Sequence, residues 1–192
     1  TVEGGLNLFN RKKGTFTHFK KNAFDSNSIN HNTIQAFAKT EEGKIWIGTE
    51  DGIHLFDPLK RTFQVYKSNT YDENSLKSSS VNSLFLDSTG TLWAGTYTGG
   101  VDKYDRNSPV FLHFRHEIFN PSSLSDNIVT SFVETSAGGI WVGLDGGGLN
   151  YFDRKKKQFI RIAHDPKNPN SLSENSVLAL LKDRENNIWA GT

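Results

Sequence analysis

Apolar residues fall in short segments separated by Gly, Asn, Asp and Ser along the whole chain. Residues 45–49 and 92–96, for example, have the sequences Ile-Trp-Ile-Gly-Thr and Leu-Trp-Ala-Gly-Thr. Segments this short, rich in β-branched and aromatic residues and bounded by turn residues, predict β-strands rather than helices. The longest clearly apolar run, Val177–Leu181, is far too short to cross a bilayer as a helix.

The strand pattern repeats at a fixed period. Tryptophans recur at spacings of 47, 48 and 48, at Trp46, Trp93, Trp141 and Trp189. Three further phrases keep the same register: Ser-Ile or Ser-Leu upstream, Gly followed by an aromatic-Asp or aromatic-Asn pair, and a Phe-led segment after it. A β-branched residue lies twelve positions before every Trp, at Ile34, Val81, Val129 and Val177. The 192 residues therefore correspond to four units of about 48.

Each unit is predicted to contain four short strands. The first strands are expected at roughly Thr33–Lys39, Val81–Leu86, Val129–Glu134 and Val177–Leu181. The Trp segment forms the second strand, the aromatic-Asp segment the third, and the Phe-led segment the fourth. Glycine or asparagine three residues before each Trp suits a tight hairpin turn.

The first strand favours one architecture among repeated all-β folds. Apolar residues lie on both of its faces, as with Ala36 and Phe37, so both faces need cover. Its middle residue is always small, which indicates that neighbouring units crowd together there: Ala36, Ser83, Ser131 and Ala179. We therefore predict an all-β fold of four-stranded antiparallel β-propeller blades. A solenoid would need one strand per short coil, and an immunoglobulin-like sandwich would not repeat internally.

The phase of the repeat predicts how the blades divide the chain. Residues 1–24 would supply outer strands of a first blade and residues 168–192 the inner strands of a last one. Three whole blades are expected between them, at 25–71, 72–119 and 120–167. Thr1 and Thr192 occupy the same place in the repeat, and methionine is absent. These features predict a segment of a larger ring, which alone would be oligomeric, closed on itself or poorly soluble.

The recurring phrases resemble the two-component-regulator propeller repeats. The resemblance is fullest in Leu172-Ser-Glu-Asn-Ser-Val177 followed by Ile188-Trp-Ala-Gly-Thr192. Over the whole chain the sequence departs from the family pattern only at Leu144, Asn186 and Asn10. It implies a seven-bladed propeller in the periplasmic sensor region of a hybrid histidine kinase. It also implies an oligosaccharide ligand, further blades and downstream domains, and a dimeric parent protein anchored in the inner membrane.

Composition narrows the chemistry. The net charge of +1 gives no field for nucleic acid, and the absence of cysteine excludes disulfides and thiolate metal sites. No histidine is repeated in all four units, so we predict neither an enzyme nor a cofactor or metal site. The recurring Asp57, Asp105 and Asp153 are expected to stabilise turns, and His113 and His116 to form a surface pair on an edge strand. A stand-alone protein-interaction or lyase-type propeller remains the alternative.

Candidate ligand residues lie where the second-to-third and the fourth-to-first strand connections converge. We predict His31, Tyr97, Asp145, Asn127 and Asn175 as ligand-binding residues. Their imidazole, phenol, carboxylate and amide groups can hydrogen-bond to sugar hydroxyls. Asn127 and Asn175 keep the register of the repeat, as Asn32 does, so a turn-capping role is open for them. His31, Tyr97 and Asp145 are not repeated as the same residue in the other units and are the stronger candidates.

Overall fold

The structure, a computed structural model that describes residues 2–192, contains only β-strands as regular elements in that range. Thr1 lies outside the described residues. Two strands form an N-terminal sheet, β1 (Leu6–Asn10) and β2 (Thr15–Phe19), and two form a C-terminal sheet, β15 (Ala179–Lys182) and β16 (Ile188–Gly191).

Three four-stranded sheets lie between these two pairs. Sheet 1 contains β3 (Ile34–Lys39), β4 (Ile45–Thr49), β5 (Gly52–Asp57) and β6 (Thr62–Tyr66). Sheet 2 contains β7 (Val81–Leu86), β8 (Leu92–Thr96), β9 (Val101–Asp105) and β10 (Ser108–Phe114). Sheet 3 contains β11 (Val129–Glu134), β12 (Ile140–Leu144), β13 (Gly148–Asp153) and β14 (Gln158–Ile162).

Every sheet is an antiparallel meander in chain order, which confirms the predicted blade type. The turns of such a meander lie at the two opposite ends of its strands. The end that carries the turns from first to second and from third to fourth strand is here called the hairpin edge. The other end, here called the junction edge, carries the turns from second to third strand and the connections to the next sheet. The first strand of the C-terminal sheet begins at Ala179, two residues later than predicted.

Neighbouring sheets pack face to face through their first two strands. Val81, Val129 and Val177 are fully buried. The glycine two residues after the Trp of sheets 1, 2 and 3 makes room for the valine of the next sheet. A Cβ on Gly95 would lie 2.5 Å from Val129 Cγ1, and one on Gly48 would lie 2.9 Å from Val81 Cγ1. This contact is the physical reason for the recurring Trp-x-Gly and for the small residue in the middle of each first strand.

Packing across the sheets buries the tryptophans unequally. Trp46 and Trp93 are 2% and 0% exposed, because a whole sheet covers each of them. Trp141 faces only the two-stranded C-terminal sheet and is half-buried. Trp189 is 61% exposed, since no described sheet packs on its face. Trp46 and Trp93 are therefore core residues, whereas Trp189 is a surface residue in this chain.

A recurring serine holds each connection between sheets. In every copy its hydroxyl accepts the N–H of the residue six positions earlier and donates to that residue's carbonyl, as at Ser28, Ser75, Ser123 and Ser171. The next residue is fully or nearly fully buried at Ile29, Leu76 and Leu124. The Ser-Ile/Leu phrase of the sequence thus anchors the loop to the core.

Buried polar side chains on the third strands tie the same connections down. His54, Asp102 and Asn150 occupy one register position and are each 0% exposed. His54 Nε2 accepts the N–H of Asn30, and Asp102 Oδ2 accepts that of Lys77. Because these acceptors are buried, the connections at the junction edge are held in fixed positions.

Candidate functional site

The predicted ligand residues all lie at the junction edge. Tyr97 is 55% exposed, in the turn between β8 and β9, and its N–H donates to the carbonyl of Ser80. Asp145 is also exposed, and its carboxylate accepts the Ser176 hydroxyl at 2.5 Å. Both side chains face solvent beside the connection to the next sheet, where a ligand could reach them.

The two in-register asparagines already carry structural hydrogen bonds. Asn127 Oδ1 accepts the His116 N–H at 2.8 Å, and Asn175 Oδ1 accepts the His164 N–H at 2.7 Å. Their main-chain carbonyls accept the N–H groups of glycines at the start of the preceding third strands. Asn32 makes the same two bonds at its own position. These contacts support the turn-capping role left open above; ligand contact by Asn127 and Asn175 stays a prediction.

His31 lies in a polar cluster at the junction of the N-terminal sheet with sheet 1. Its Nδ1 accepts the Thr33 N–H, and its Nε2 is 4.0 Å from Glu50 Oε2. His54 is close by, and burial lowers its pKa to about 4. A neutral His54 is therefore the form that supports this connection at neutral pH.

The structure distributes the five predicted residues over successive junctions. The turn that contains Tyr97 bonds to Asn127 at the junction of sheets 2 and 3, through the Gly100 N–H. Asp145 and Asn175 meet at the next junction, and His31 lies at an earlier one. The edge thus presents a row of polar groups from separate sheets.

A cleft that the sequence reasoning missed opens at the opposite, hairpin edge between sheets 1 and 2. Its volume is about 510 Å³. The residues that line it include Thr40, Glu41, Trp46, Asp87, Asp105 and Arg106. None of the five predicted residues lines it.

The same place between sheets 2 and 3 is filled by charged side chains. Trp93 Nε1 donates to Asp87 Oδ2 at 2.6 Å, and Arg154 donates to the same oxygen at 2.7 Å. The Arg154 guanidinium also lies over the Trp93 ring, 5.6 Å from its centroid, and bonds to Glu134 at 3.3 Å. Burial would raise the pKa of Asp87, but the hydrogen bonds from Thr89, Trp93 and Arg154 outweigh it, so the pKa is lowered.

Residues at three positions of the repeat explain why there is a cleft between sheets 1 and 2 but a filled space between sheets 2 and 3. The position six residues before Trp holds Asp87 and Asp183 in two units but Thr40 and Thr135 in the others. Leu86 stands where the next sheet has Glu134. Lacking both carboxylates, Arg106 turns outward and pairs with Glu42, whose pKa this hydrogen bond lowers to about 2. In the sequence, the sign of this cleft is the threonine that replaces aspartate six residues before Trp46.

The third-strand aspartates and the histidine pair have structural roles. Asp57 and Asp153 each accept two backbone N–H groups of the following turn, as predicted. His113 was expected at the surface, but its side chain is only 15% exposed and its Nδ1 is 2.5 Å from Asp102 Oδ1. His116 bonds to the Leu124 carbonyl. The surface-pair interpretation is therefore wrong, because the His113 ring holds the connection into sheet 2 through the Glu73 carbonyl and the His116 ring holds the connection into sheet 3.

No metal or membrane feature stands out within residues 2–192. No group of three His, Cys, Asp or Glu side chains there is arranged to hold a metal ion. That part of the chain also contains no helix able to cross a membrane.

Comparison with protein families finds the two-component regulator propeller model four times, at residues 28–51, 75–98, 123–146 and 171–192. The chain belongs to the two-component regulator propeller family. Each match begins at the recurring serine and covers the first two strands, so it includes the β-branched residue and the Trp-x-Gly phrase.

Two solved structures resemble this propeller chain over nearly its whole length. One is the extracellular domain of a putative hybrid two-component system from B. thetaiotaomicron, with 26% identity, a TM-score of 0.78, and coverage of 99% of this chain and 24% of that one. The other is the extracellular domain of a second such system from the same organism, with 23% identity, a TM-score of 0.73, and coverage of 100% and 30%. The propeller chain thus spans about a quarter of these structures.

A more distant fold match is an enzyme. Virginiamycin B lyase from Staphylococcus aureus shares 15% identity over 82% of this chain and 48% of its own, with a TM-score of 0.59. At that identity the match shows the propeller fold alone. A comparison with curated proteins returned no match.

Proposed function

We propose that this chain is part of a ligand-sensing propeller in the periplasmic region of a hybrid two-component histidine kinase. The similarity over 99% of the chain to the extracellular domain of a hybrid two-component system carries the proposal. The parent protein is then anchored in the inner membrane, is dimeric, and signals through domains beyond the propeller. The propeller itself binds and does not catalyse.

The proposed ligand is an oligosaccharide, held at the junction edge. Tyr97 offers an exposed aromatic face and hydroxyl, Asp145 offers a carboxylate acceptor at the next junction, and His31 offers its Nε2 as a donor at an earlier one. Aromatic faces with amide and carboxylate partners suit sugars, which present both C–H surfaces and hydroxyls. An extended ligand fits a row of polar groups better than a compact one does.

Calorimetric titration of the intact protein with a panel of oligosaccharides tests the proposal. One member of the panel should bind saturably and remain uncleaved. Tyr97→Ala and Asp145→Ala should each weaken that binding. Tyr71→Ala is the matched control, because Tyr71 is 97% exposed but lies outside the predicted contacts. Absence of binding across the panel, or turnover of the bound sugar, would contradict a sensing role.

A further inference from the structure

We infer that the cleft between sheets 1 and 2 at the hairpin edge is a binding site for a small uncharged polyol, such as a single sugar residue. The Trp46 indole N–H is its buried donor. The inference goes beyond the proposed function, since the cleft lies at the edge opposite to Tyr97 and Asp145 and shares no residue with that row.

The first observation is the indole nitrogen of Trp46. Trp46 is 2% exposed, and its Nε1 has no acceptor among residues 2–192. A buried donor without a partner costs folding free energy and is uncommon in native proteins. In the corresponding units Trp93 donates to Asp87 at 2.6 Å and Trp189 donates to Asp183 at 2.8 Å. The register therefore directs the Trp46 N–H toward Thr40, which lines the cleft.

Thr40 cannot take the place of the aspartate. Its hydroxyl oxygen accepts the Lys44 N–H at 3.1 Å, the turn bond that Asp87 Oδ1 makes with Thr91 at 3.0 Å. The second carboxylate oxygen, which accepts the indole N–H in Asp87, has no counterpart in threonine. A ligand oxygen at that point would complete the arrangement found in the next sheet.

The second observation is the space beside this donor. Between sheets 2 and 3 the Arg154 side chain occupies it, held by Asp87 and Glu134. Between sheets 1 and 2 Arg106 is paired with the exposed Glu42 instead, and the cleft of about 510 Å³ remains. Small-molecule sites in proteins have volumes of about 300–1,000 Å³, so the cleft has room for a sugar residue.

The lining charges select the class of ligand. Asp87 is paired with Arg154 and Glu42 with Arg106, whereas Glu41 and Asp105 have no ion-pair partner within residues 2–192. An anion would be repelled by these two carboxylates, and a simple cation could not accept the Trp46 N–H. A hydroxyl group accepts from the indole and donates to a carboxylate, so a neutral polyol satisfies both sides.

Saturation-transfer NMR on the intact protein tests the inference, with D-glucose, D-galactose and D-mannose as probes. At least one should give a saturable signal with the wild type. Thr40→Asp should reduce the affinity about tenfold or more, which corresponds to the loss of one well-made hydrogen bond. Thr135→Asp is the matched control, being the same change at the same register position in sheet 3, and should leave binding unchanged.

Thr40→Asp should leave the melting temperature equal or higher, since the new carboxylate accepts the Trp46 N–H as Asp87 accepts that of Trp93. Leu86→Glu is a second test, because it places a carboxylate where sheet 3 has Glu134, which bonds to Arg154. Arg106 should then turn into the cleft, fill it and abolish sugar binding. Tyr97→Ala should not affect these probes, which separates this site from the proposed oligosaccharide row.

Four results would overturn the inference. These are no saturable signal from any of the three sugars, equal signals in wild type and Thr40→Asp, equal losses in Thr40→Asp and Thr135→Asp, or saturation by sodium acetate but not by the sugars. The first would mean that the Trp46 N–H is satisfied by water alone.

Discussion

At the scale of single residues, two arginines in the same position of the repeat make very different contacts. Arg154 reaches the fully buried carboxylate of Asp87 and stacks on Trp93, whereas Arg106 pairs with Glu42 in the open. Removing one member of a buried charge pair lowers the free energy of unfolding much more than removing one member of an exposed pair does. Arg154 and Arg106 therefore occupy the same position of the repeat but contribute differently to stability.

We predict that Arg154→Ala lowers the free energy of unfolding by about 3 kcal/mol, because it leaves the Asp87 carboxylate buried without its cation. Arg106→Ala, the matched control, should change stability far less. Denaturant unfolding of both variants measures the difference. Equal losses in the two variants would show that the Asp87 pair contributes nothing particular to sheet packing.

Because His54 is buried, we predict that the free energy of unfolding falls in acid. Burial lowers its pKa from 6.5 to about 4, so the folded chain holds the neutral ring while the unfolded chain takes up a proton below pH 6.5. Its contribution to stability is thus fully present above pH 6.5 and is lost as the pH falls toward 4. The shift corresponds to roughly 3 kcal/mol over that range.

His54→Asn should remove this acid sensitivity, since Asn150 in the same position of sheet 3 accepts the corresponding N–H without titrating. The measurement is the difference in unfolding free energy between wild type and variant at pH 7 and at pH 4.5. Other titrating groups, including the nearby Asp51, Lys67 and His31, are common to both proteins. A difference that does not change with pH would contradict the account.

At the scale of strands, the contact between glycine and valine sets how closely sheets approach. Gly95 has no room for a side chain, because an added Cβ would meet Val129 at 2.5 Å and Ser83 still more closely. Gly191 occupies the same place in the C-terminal sheet, where the nearest atom to an added Cβ is Ala179 Cβ at 3.8 Å. The same glycine is therefore indispensable in one sheet and replaceable in another.

Gly95→Ala should destabilise the chain by about 3 kcal/mol, at the upper end of what overpacking costs. Gly191→Ala should be close to neutral in the chain of 192 residues. Thermal unfolding of the two variants is the measurement. A neutral Gly95→Ala would mean that the sheets can separate without cost.

The strands also show which features a single sequence can predict. Strand order, the aspartate-capped turns and the small residues of the first strands recur from unit to unit, so the period revealed them. The cleft beside Trp46 depends on three residues from two adjacent sheets, Thr40, Leu86 and Arg106. Its signal is a departure from the repeat rather than the repeat itself. His113 was misplaced because its partners, Asp102 on the paired strand and the Glu73 carbonyl of the preceding connection, are not adjacent to it in the sequence.

At the scale of the whole molecule, the two ends of the stack present apolar faces. Trp189 is 61% exposed on the C-terminal sheet, and Phe37 is 56% exposed where the N-terminal sheet lacks inner strands to cover it. The corresponding residues of sheet 2, Trp93 and Leu84, are fully buried and half-buried respectively. Further blades of a parent ring would cover Trp189 and Phe37.

We predict that the chain of 192 residues on its own associates or precipitates, because exposed apolar faces of this kind favour contact with other copies. Light scattering across a range of concentrations measures this. Trp189→Lys should reduce the association. A stable monomer with both faces open would contradict the prediction.

The sensing role of the whole molecule is tested most directly by phosphoryl transfer from ATP to the intact protein, measured with and without a bound oligosaccharide. We predict that the oligosaccharide changes the rate in the wild type and has no effect in Tyr97→Ala, while Tyr71→Ala responds as the wild type does. A rate that no oligosaccharide changes, together with cleavage of the sugar by the protein, would contradict the account.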